Sequence, residues 1–263
     1  MVPWRCDGQP IAPYLRQFRK APTPAHRTLQ LDGQPEEEGD TRRKGVYAEP
    51  GRTALLVVDC QPVFYAASPT IPHHFPQLPS NVARLLREAR AAGVHVVHIN
   101  AHYDDNVSPW LKWWSVLRDE RVARGKRRDT PVRSRLPCTL RHDTALTGKW
   151  WIPQVVPGSS SWAAARGSEP VIVKHTVNGF FETRLQSELQ ARGITHVVVC
   201  GLVSSICVQG TASGSQVRGF ATTVVPECCG DHTRTRHEQT MALYGNNMFA
   251  LATIDELVRA WQS

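Results

Sequence analysis

The sequence predicts an α/β protein built on a doubly wound, mostly parallel sheet with helices on both faces. Two observations predict it. Short apolar runs alternate along the chain with stretches of helical spacing, and the runs are continuous in Val, Leu and Ile, as strands covered on both faces must be.

Regular structure is expected to begin at Thr53-Ala-Leu-Leu-Val-Val-Asp59, an apolar strand with an acid at its C-terminal end. Residues Ser80 to Ala92 have helical spacing, with Val82, Leu85, Leu86 and Ala89 on one face and charges opposite. Gly93 closes that helix and Val94 to Ile99 supplies the second strand. The rhythm breaks between Ala101 and Ser168, where Trp110, Trp113, Trp114, Trp150, Trp151 and Trp162 lie among basic residues and prolines. An excursion of this length is usually functional or has structure of its own. The rhythm resumes at Pro170-Val-Ile-Val-Lys174, followed by a helix around Thr183 to Ala191 and the strand His196-Val-Val-Val-Cys-Gly201. A helix from about Cys207 to Val217, a strand at Ala221 to Val225 and a helix at His232 to Leu243 come next. A strand at Phe249 to Thr253 and a helix at Asp255 to Trp261 close the chain. In sheets of this kind the ligand lies outside the carboxyl ends of the strands.

The chain of 263 residues is long enough for one large α/β domain, and 41% hydrophobic with 21% charged residues is an ordinary globular composition. We divide it into an N-terminal arm over residues 1–50 and a domain over 51–263, with the excursion at about 102–168. The arm is rich in Pro, Gly, Gln and charge, yet Trp4, Tyr14, Leu15 and Phe18 give it apolar anchors for the domain or for a neighbouring subunit. A net charge of +8 raises the question of a polyanionic partner. The basic residues, however, concentrate in one run, from Arg121, Arg124, Lys126, Arg127 and Arg128 to Arg133 and Arg135, without a nucleic-acid motif. A solvated basic loop is the reading adopted; no nucleic-acid partner is expected, and steering of an anionic substrate stays open.

Seven cysteines, an odd number with no CxxC pair, read as reduced thiols rather than a disulfide framework or zinc site. The first residues lack the apolar run of a signal peptide, and no stretch is long and apolar enough to cross a bilayer. A cytoplasmic protein with no membrane partner is therefore expected.

Three reactive side chains occupy equivalent places. Asp59 ends one strand, Lys174 ends another, and Cys207 follows the strand that ends at Gly201, so all three face one crevice. Cys207 comes after Leu202-Val-Ser-Ser-Ile206 at the expected start of a helix, where the dipole and unpaired N–H groups favour a thiolate. A Lys174 ammonium nearby lowers the thiol pKa further, and Asp59 is suited to accept the thiol proton and pass it to a leaving amine. These are the parts needed for acyl transfer through a thioester. Taken singly, each is more often a capping residue, a surface charge or a buried structural thiol.

Three segments together resemble the isochorismatase-like cysteine hydrolases. Leu55-Leu-Val-Val-Asp-Cys-Gln-Pro-Val-Phe64 is similar to the family's opening motif, Val171-Ile-Val-Lys-His-Thr-Val-Asn-Gly-Phe-Phe-Glu-Thr-Arg-Leu185 to its lysine segment, and Val199-Cys-Gly-Leu-Val-Ser-Ser-Ile-Cys-Val208 to its nucleophile segment. The likeness runs roughly from Thr53 to Trp261, interrupted by the excursion. It implies a six-stranded parallel sheet, an Asp59–Lys174–Cys207 triad and a non-proline cis peptide between Leu202 and Val203. The purpose it implies for that peptide is to aim the Val203 N–H beside the Cys207 N–H as an oxyanion hole. Gln61, Phe64, Asn178 and Phe181 are the expected pocket wall.

Departures from the family narrow the reading. Several isochorismatases proper, which cleave a vinyl ether, carry no cysteine at the nucleophile position, so Cys207 favours the amidase branch. Nicotinamidases of the superfamily bind a metal through an Asp-x-His segment, whereas Ile99-Asn-Ala-His-Tyr-Asp104 has Ala101 in place of the acid. His102 and Asp104 remain as weak metal candidates, and no metal or other cofactor is expected. Asn178-Gly-Phe-Phe181 and Thr183 look most like enzymes of ureido or carbamoyl compounds, such as ureidoacrylate amidohydrolases. The expected function is a metal-independent cysteine amidohydrolase acting on a small amide, ureido or carbamoyl molecule. Vinyl-ether hydrolysis and a catalytically silent binding protein are the alternatives, and a homo-oligomer is expected.

Overall fold

The structure is a computed structural model that describes residues 49–68, 70–103, 108, 110 and 158–262. The arm up to residue 48, the basic run from Arg121 to Arg135, Asp104, Trp113, Trp114, Trp150 and Trp151 lie outside the described residues.

Six parallel strands form one sheet: β1 (Thr53–Val58), β2 (His95–Ala101), β3 (Val171–Lys174), β4 (His196–Leu202), β5 (Ala221–Gly230) and β6 (Ala250–Leu251). Their order in space is β3-β2-β1-β4-β5-β6. The winding starts at β1, runs outward through β2 and β3, then returns to the other side of β1 for β4, β5 and β6. The crevice between β1 and β4 is therefore the switch point of the sheet, where doubly wound folds bind ligands.

β1 is central, and every one of its residues is buried. β3 is an edge and alternates instead: Ile172 and Lys174 are buried while Val171 and Val173 are more than a third exposed. The helices are α1 (Ile71–His74), α2 (Leu78–Ala91), α3 (Leu185–Ala191), α4 (Gln209–Gln216), α5 (Arg234–Tyr244) and α6 (Ile254–Gln262). α2 buries Leu78, Val82, Leu85, Leu86 and Ala89, the single stripe that a 3.6-residue period produces. It ends at Gly93, whose φ of 78° a residue with a Cβ adopts only under strain. α6 starts with a reciprocal cap, in which the Glu256 N–H donates to Thr253 Oγ1 at 3.2 Å and the Thr253 N–H donates to Glu256 Oε2 at 2.7 Å. Its face of Ile254, Leu257 and Trp261 is buried.

The expected elements are present, with boundaries that differ for local reasons. The strand expected over Ala221–Val225 continues to Gly230. Pro226 reads as a strand end because it has no N–H to donate, but the ladder bulges there and resumes, with Val199 opposite Val224 and Gly201 opposite Cys229. The strand expected at Phe249–Thr253 is paired only at Ala250 and Leu251. Among the described residues no helix is long and apolar enough to cross a membrane.

Candidate active site

Val58, the last residue of β1, pairs with Ile99 on β2 and Gly201 on β4. Asp59 follows, and its N–H donates to the Ile99 carbonyl at 2.8 Å. Its φ of 48° lies in the left-handed region, which Asp enters more readily than most residues with a side chain. The chain thus turns out of the sheet while the carboxylate stays buried, 1% exposed, at the switch point.

Lys174 ends β3 in register with Ala101 of β2. Register partners on neighbouring strands share a face, and the small methyl of Ala101 leaves that face open to the lysine stem. Lys174 is fully buried. Its Nζ donates to Asp59 Oδ2 at 2.8 Å, to the Tyr103 hydroxyl at 2.8 Å and to the Thr176 carbonyl at 3.1 Å. All three ammonium protons are engaged. Among the described residues Asp59 Oδ1 has no full hydrogen bond, but the Cys207 thiol and the Ala101 N–H lie close enough to the carboxylate to pull its pKa down.

Cys207 lies in a wide turn over Ser204–Val208 in which the Val208 N–H reaches back five residues to the Val203 carbonyl at 3.2 Å. The turn leads into α4, and the peptide joining Leu202 to Val203 is cis. A polar network grips the turn from below. The buried Ser204 hydroxyl contacts the Gly230 carbonyl at 3.0 Å and His237 Nδ1 at 2.7 Å. Buried Asp231 accepts the Ser205 N–H on Oδ2 and the His232 N–H on Oδ1, each at 2.8 Å. Arg236 joins by donating to Ser205 Oγ at 2.9 Å.

Electrostatics at the site are set by burial first. Burial pushes the Cys207 thiol up to about 12, against the pull of the Lys174 ammonium and the Tyr103 hydrogen bond, and Asp59 adds to the rise. This corrects the expectation of a thiol lowered by Lys174 and a helix start: the lysine acts in the expected sense, but desolvation outweighs it. Burial also works downward on Lys174, but the negative charge of Asp59 outweighs it, with Cys207 adding to the effect, and the ammonium stays protonated. For Asp59 burial raises the pKa and Lys174 opposes it, leaving it raised. The geometry favours the ion pair, because Asp59, Tyr103 and Thr176 all accept from Nζ.

Asp59, Lys174 and Cys207 are thus brought together, with Leu202 buried and Val203 half-buried beside the turn. The four residues expected to wall the pocket separate. Both ends of the buried Gln61 amide bind Ala101, Nε2 donating to its carbonyl at 3.2 Å and Oε1 accepting its N–H at 2.8 Å. Gln61 therefore braces the end of β2. Asn178 accepts the Phe180 N–H on Oδ1 at 2.9 Å and packs so closely on Gly214 of α4 that a Cβ there would overlap its amide. Its side chain ties the turn after β3 to α4. Phe64 is half-buried and meets the Tyr103 ring edge-on, with centroids 6.5 Å apart. Phe181 is 49% exposed, and the buried phenylalanine of that pair is Phe180.

Tyr103 is a residue of the site that the sequence reading does not single out. Its ring is buried and its hydroxyl lies 3.4 Å from Cys207 Sγ. The available signal was position: residues just past the end of β2 stand beside those just past β1 and β3. Of the residues that correspond to the nicotinamidase metal segment, Asp104 lies outside the described residues. Ala101 offers no ligand and the Tyr103 hydroxyl is committed to Lys174. Among the described residues no three His, Cys, Asp or Glu side chains are grouped to hold an ion.

The isochorismatase domain family matches residues 53–256. The uncharacterized isochorismatase family protein YddQ of Bacillus subtilis is 40% identical over 65 residues, covering 25% of this chain and 36% of that protein. The ureidoacrylate amidohydrolase RutB of Pantoea ananatis is 27% identical over 209 residues, covering 73% of this chain and 72% of the relative. Among solved structures, a cysteine hydrolase from Pseudomonas syringae pv. phaseolicola superposes with a TM-score of 0.60 at 19% identity, covering 82% of this chain and 95% of that one. An N-carbamoylsarcosine amidase from Thermoplasma acidophilum superposes with a TM-score of 0.55 at 20% identity, covering 78% and 97%. At these identities the two structures establish a shared fold.

Proposed function

This chain belongs to the isochorismatase family, and on that premise we propose that it is a metal-independent cysteine amidohydrolase that cleaves a C–N bond of a small amide, ureido or carbamoyl compound. The observation that carries the reading is a buried ion pair, Lys174 with Asp59 at 2.8 Å, set beside the buried thiol of Cys207 with no full hydrogen bond on Asp59 Oδ1. A vinyl-ether hydrolase has no use for a nucleophilic thiol, and a binding protein has no use for a buried unsatisfied carboxylate. The match to RutB over most of both chains supports amide hydrolysis and, within it, ureido substrates.

The chemistry follows from the proton positions. Cys207 gives its proton to Asp59 Oδ1 as its sulfur attacks the substrate carbonyl carbon. The carbonyl oxygen becomes an oxyanion held by the N–H groups of Val203 and Cys207. The C–N bond breaks, the amine leaves with the proton from Asp59, and an acyl group stays on sulfur. Asp59 then takes a proton from water, which attacks the thioester, and the thiol is restored as the acid departs. Lys174 stays charged throughout and keeps Asp59 in its anionic, proton-accepting form.

Ammonia release from a panel of ureido, carbamoyl, nicotinamide and aliphatic amides tests this, with native protein, with Cys207→Ala, and with a chelator present. The expected result is chelator-insensitive ammonia from one class, abolished in Cys207→Ala. Full turnover by a folded Cys207→Ala protein refutes the mechanism.

A further inference from the structure

The Tyr103 hydroxyl is 2.8 Å from Lys174 Nζ and 3.4 Å from Cys207 Sγ. An ammonium has no lone pair, so the phenol oxygen is the acceptor in the first contact, and its own proton remains to be donated. Two acceptors lie within reach of that proton, the Cys207 sulfur and the Thr176 carbonyl at 3.3 Å. Lys174 meanwhile donates to Asp59, Tyr103 and Thr176, and its charge also acts directly on the sulfur. The hydroxyl of Tyr103 therefore bridges the Lys174 ammonium and the Cys207 sulfur.

We propose that Tyr103 is a further catalytic residue, whose hydroxyl, polarised by Lys174, donates its hydrogen bond to the Cys207 sulfur as the thiol becomes a thiolate. The proposal rests on the reading of Cys207 as the nucleophile. In the step concerned the thiol proton moves to Asp59 Oδ1, the S–H electron pair stays on sulfur, and Tyr103 keeps its own proton while its hydrogen bond moves from the Thr176 carbonyl to sulfur. A hydrogen bond to an anion is about twice as strong as one to a neutral partner, so the contact gains strength as charge develops. Burial holds the Tyr103 phenol well above its ordinary pKa, with the charges of Cys207 and Asp59 adding to the rise, which keeps it a donor. The groups that set the charge around the sulfur are Lys174, Asp59 and Tyr103 itself. Packing holds the ring in place. Trp110 meets it edge-on at 5.2 Å, and the Trp110 indole N–H is anchored on the His175 carbonyl at 2.7 Å.

The test reads thiolate formation without any substrate. Full-length native, Tyr103→Phe and Cys207→Ala proteins are treated with iodoacetamide from pH 7 to 9.5, and modification at Cys207 is followed by peptide mass. Below the thiol's pKa the logarithm of the rate rises with pH at a slope of one, so a change in thiolate stability displaces the whole line. Tyr103→Phe keeps the ring and removes the donor. Its line is expected to fall by about tenfold or more at every pH, and kcat to fall by a similar factor with KM less affected. 3-Fluorotyrosine at position 103, a stronger donor, is expected to raise the line. This arm decides the matter alone if Tyr103→Phe loses its native circular dichroism. A Tyr103→Phe line that coincides with the native one, or a fluorotyrosine line that does not rise, overturns the proposal. Turnover that survives Cys207→Ala overturns instead the reading beneath it.

Discussion

Replacing Lys174 by Met removes the ammonium and keeps most of the side-chain volume. The Lys174 and Asp59 side chains are 0% and 2% exposed and 2.8 Å apart. Two unit charges at that distance attract by about 6 kcal/mol at an effective dielectric of roughly 20. Lys174→Met deletes that attraction and strands a buried carboxylate, a change expected to cost roughly 3–5 kcal/mol of stability. Asp59 escapes part of the penalty by taking up a proton, and a protonated Asp59 can no longer accept one from Cys207. Turnover is therefore expected to fall by about 10²–10⁴-fold. The double variant Asp59→Asn/Lys174→Met separates the two effects, because it leaves no unpaired charge. Its urea midpoint should return most of the way to native while ammonia release stays at the level of the single variant. A Lys174→Met protein of native stability refutes the buried pair, and recovery of turnover in the double variant refutes the role given to Asp59.

Three further outcomes are expected. Asp231→Asn leaves one of the Ser205 and His232 N–H groups without its acceptor, so the Cys207 turn loosens; kcat should fall about 10- to 100-fold with a smaller change in KM, read from steady-state rates. Glu169 is opposed by burial, yet Arg90, the Arg166 N–H and His98 hold its carboxyl down to about 2 from 4.5. A lowered carboxyl stabilises the fold above its ordinary pKa and loses that contribution as pH falls from about 4.5 to 2, so Glu169→Gln should flatten the urea midpoint against pH in that window. Gly201 has a φ of 117°, and a Cβ there would overlap the Val58 carbonyl oxygen. Gly201→Ala should therefore cost about 3 kcal/mol or more, measured by urea unfolding.

The fold was legible where burial imposes a period. β1, α2 and β4 are found within two residues of expectation because their apolar runs end in clear punctuation, an acid, Gly93 and the Gly201 bend. The convergence of Asp59, Lys174 and Cys207 is legible because residues just past parallel strand ends meet at one crevice. What escaped were features set by partners distant in sequence. The wide turn at Cys207 looks in sequence like an ordinary helix start, and its grip by Asp231, Ser204 and His237 depends on residues 26 to 33 positions away. A sequence shows Gln61 and Asn178 as polar side chains near a site, but not that both ends of the Gln61 amide and Asn178 Oδ1 bind backbone. The thiol pKa was misjudged for a related reason: a sequence displays the charges near a cysteine but not the depth of its burial, and burial decides the sign here.

In the proposed reaction Cys207 carries the acyl group. Rapid acid quench of the native protein with a turned-over amide, followed by intact mass and peptide mapping, tests it most directly. The expected result is an adduct on the Cys207 peptide with the mass of the substrate less its leaving amine, absent from Cys207→Ala. Rapid turnover with no adduct on Cys207, and no loss of rate in Cys207→Ala, would contradict it.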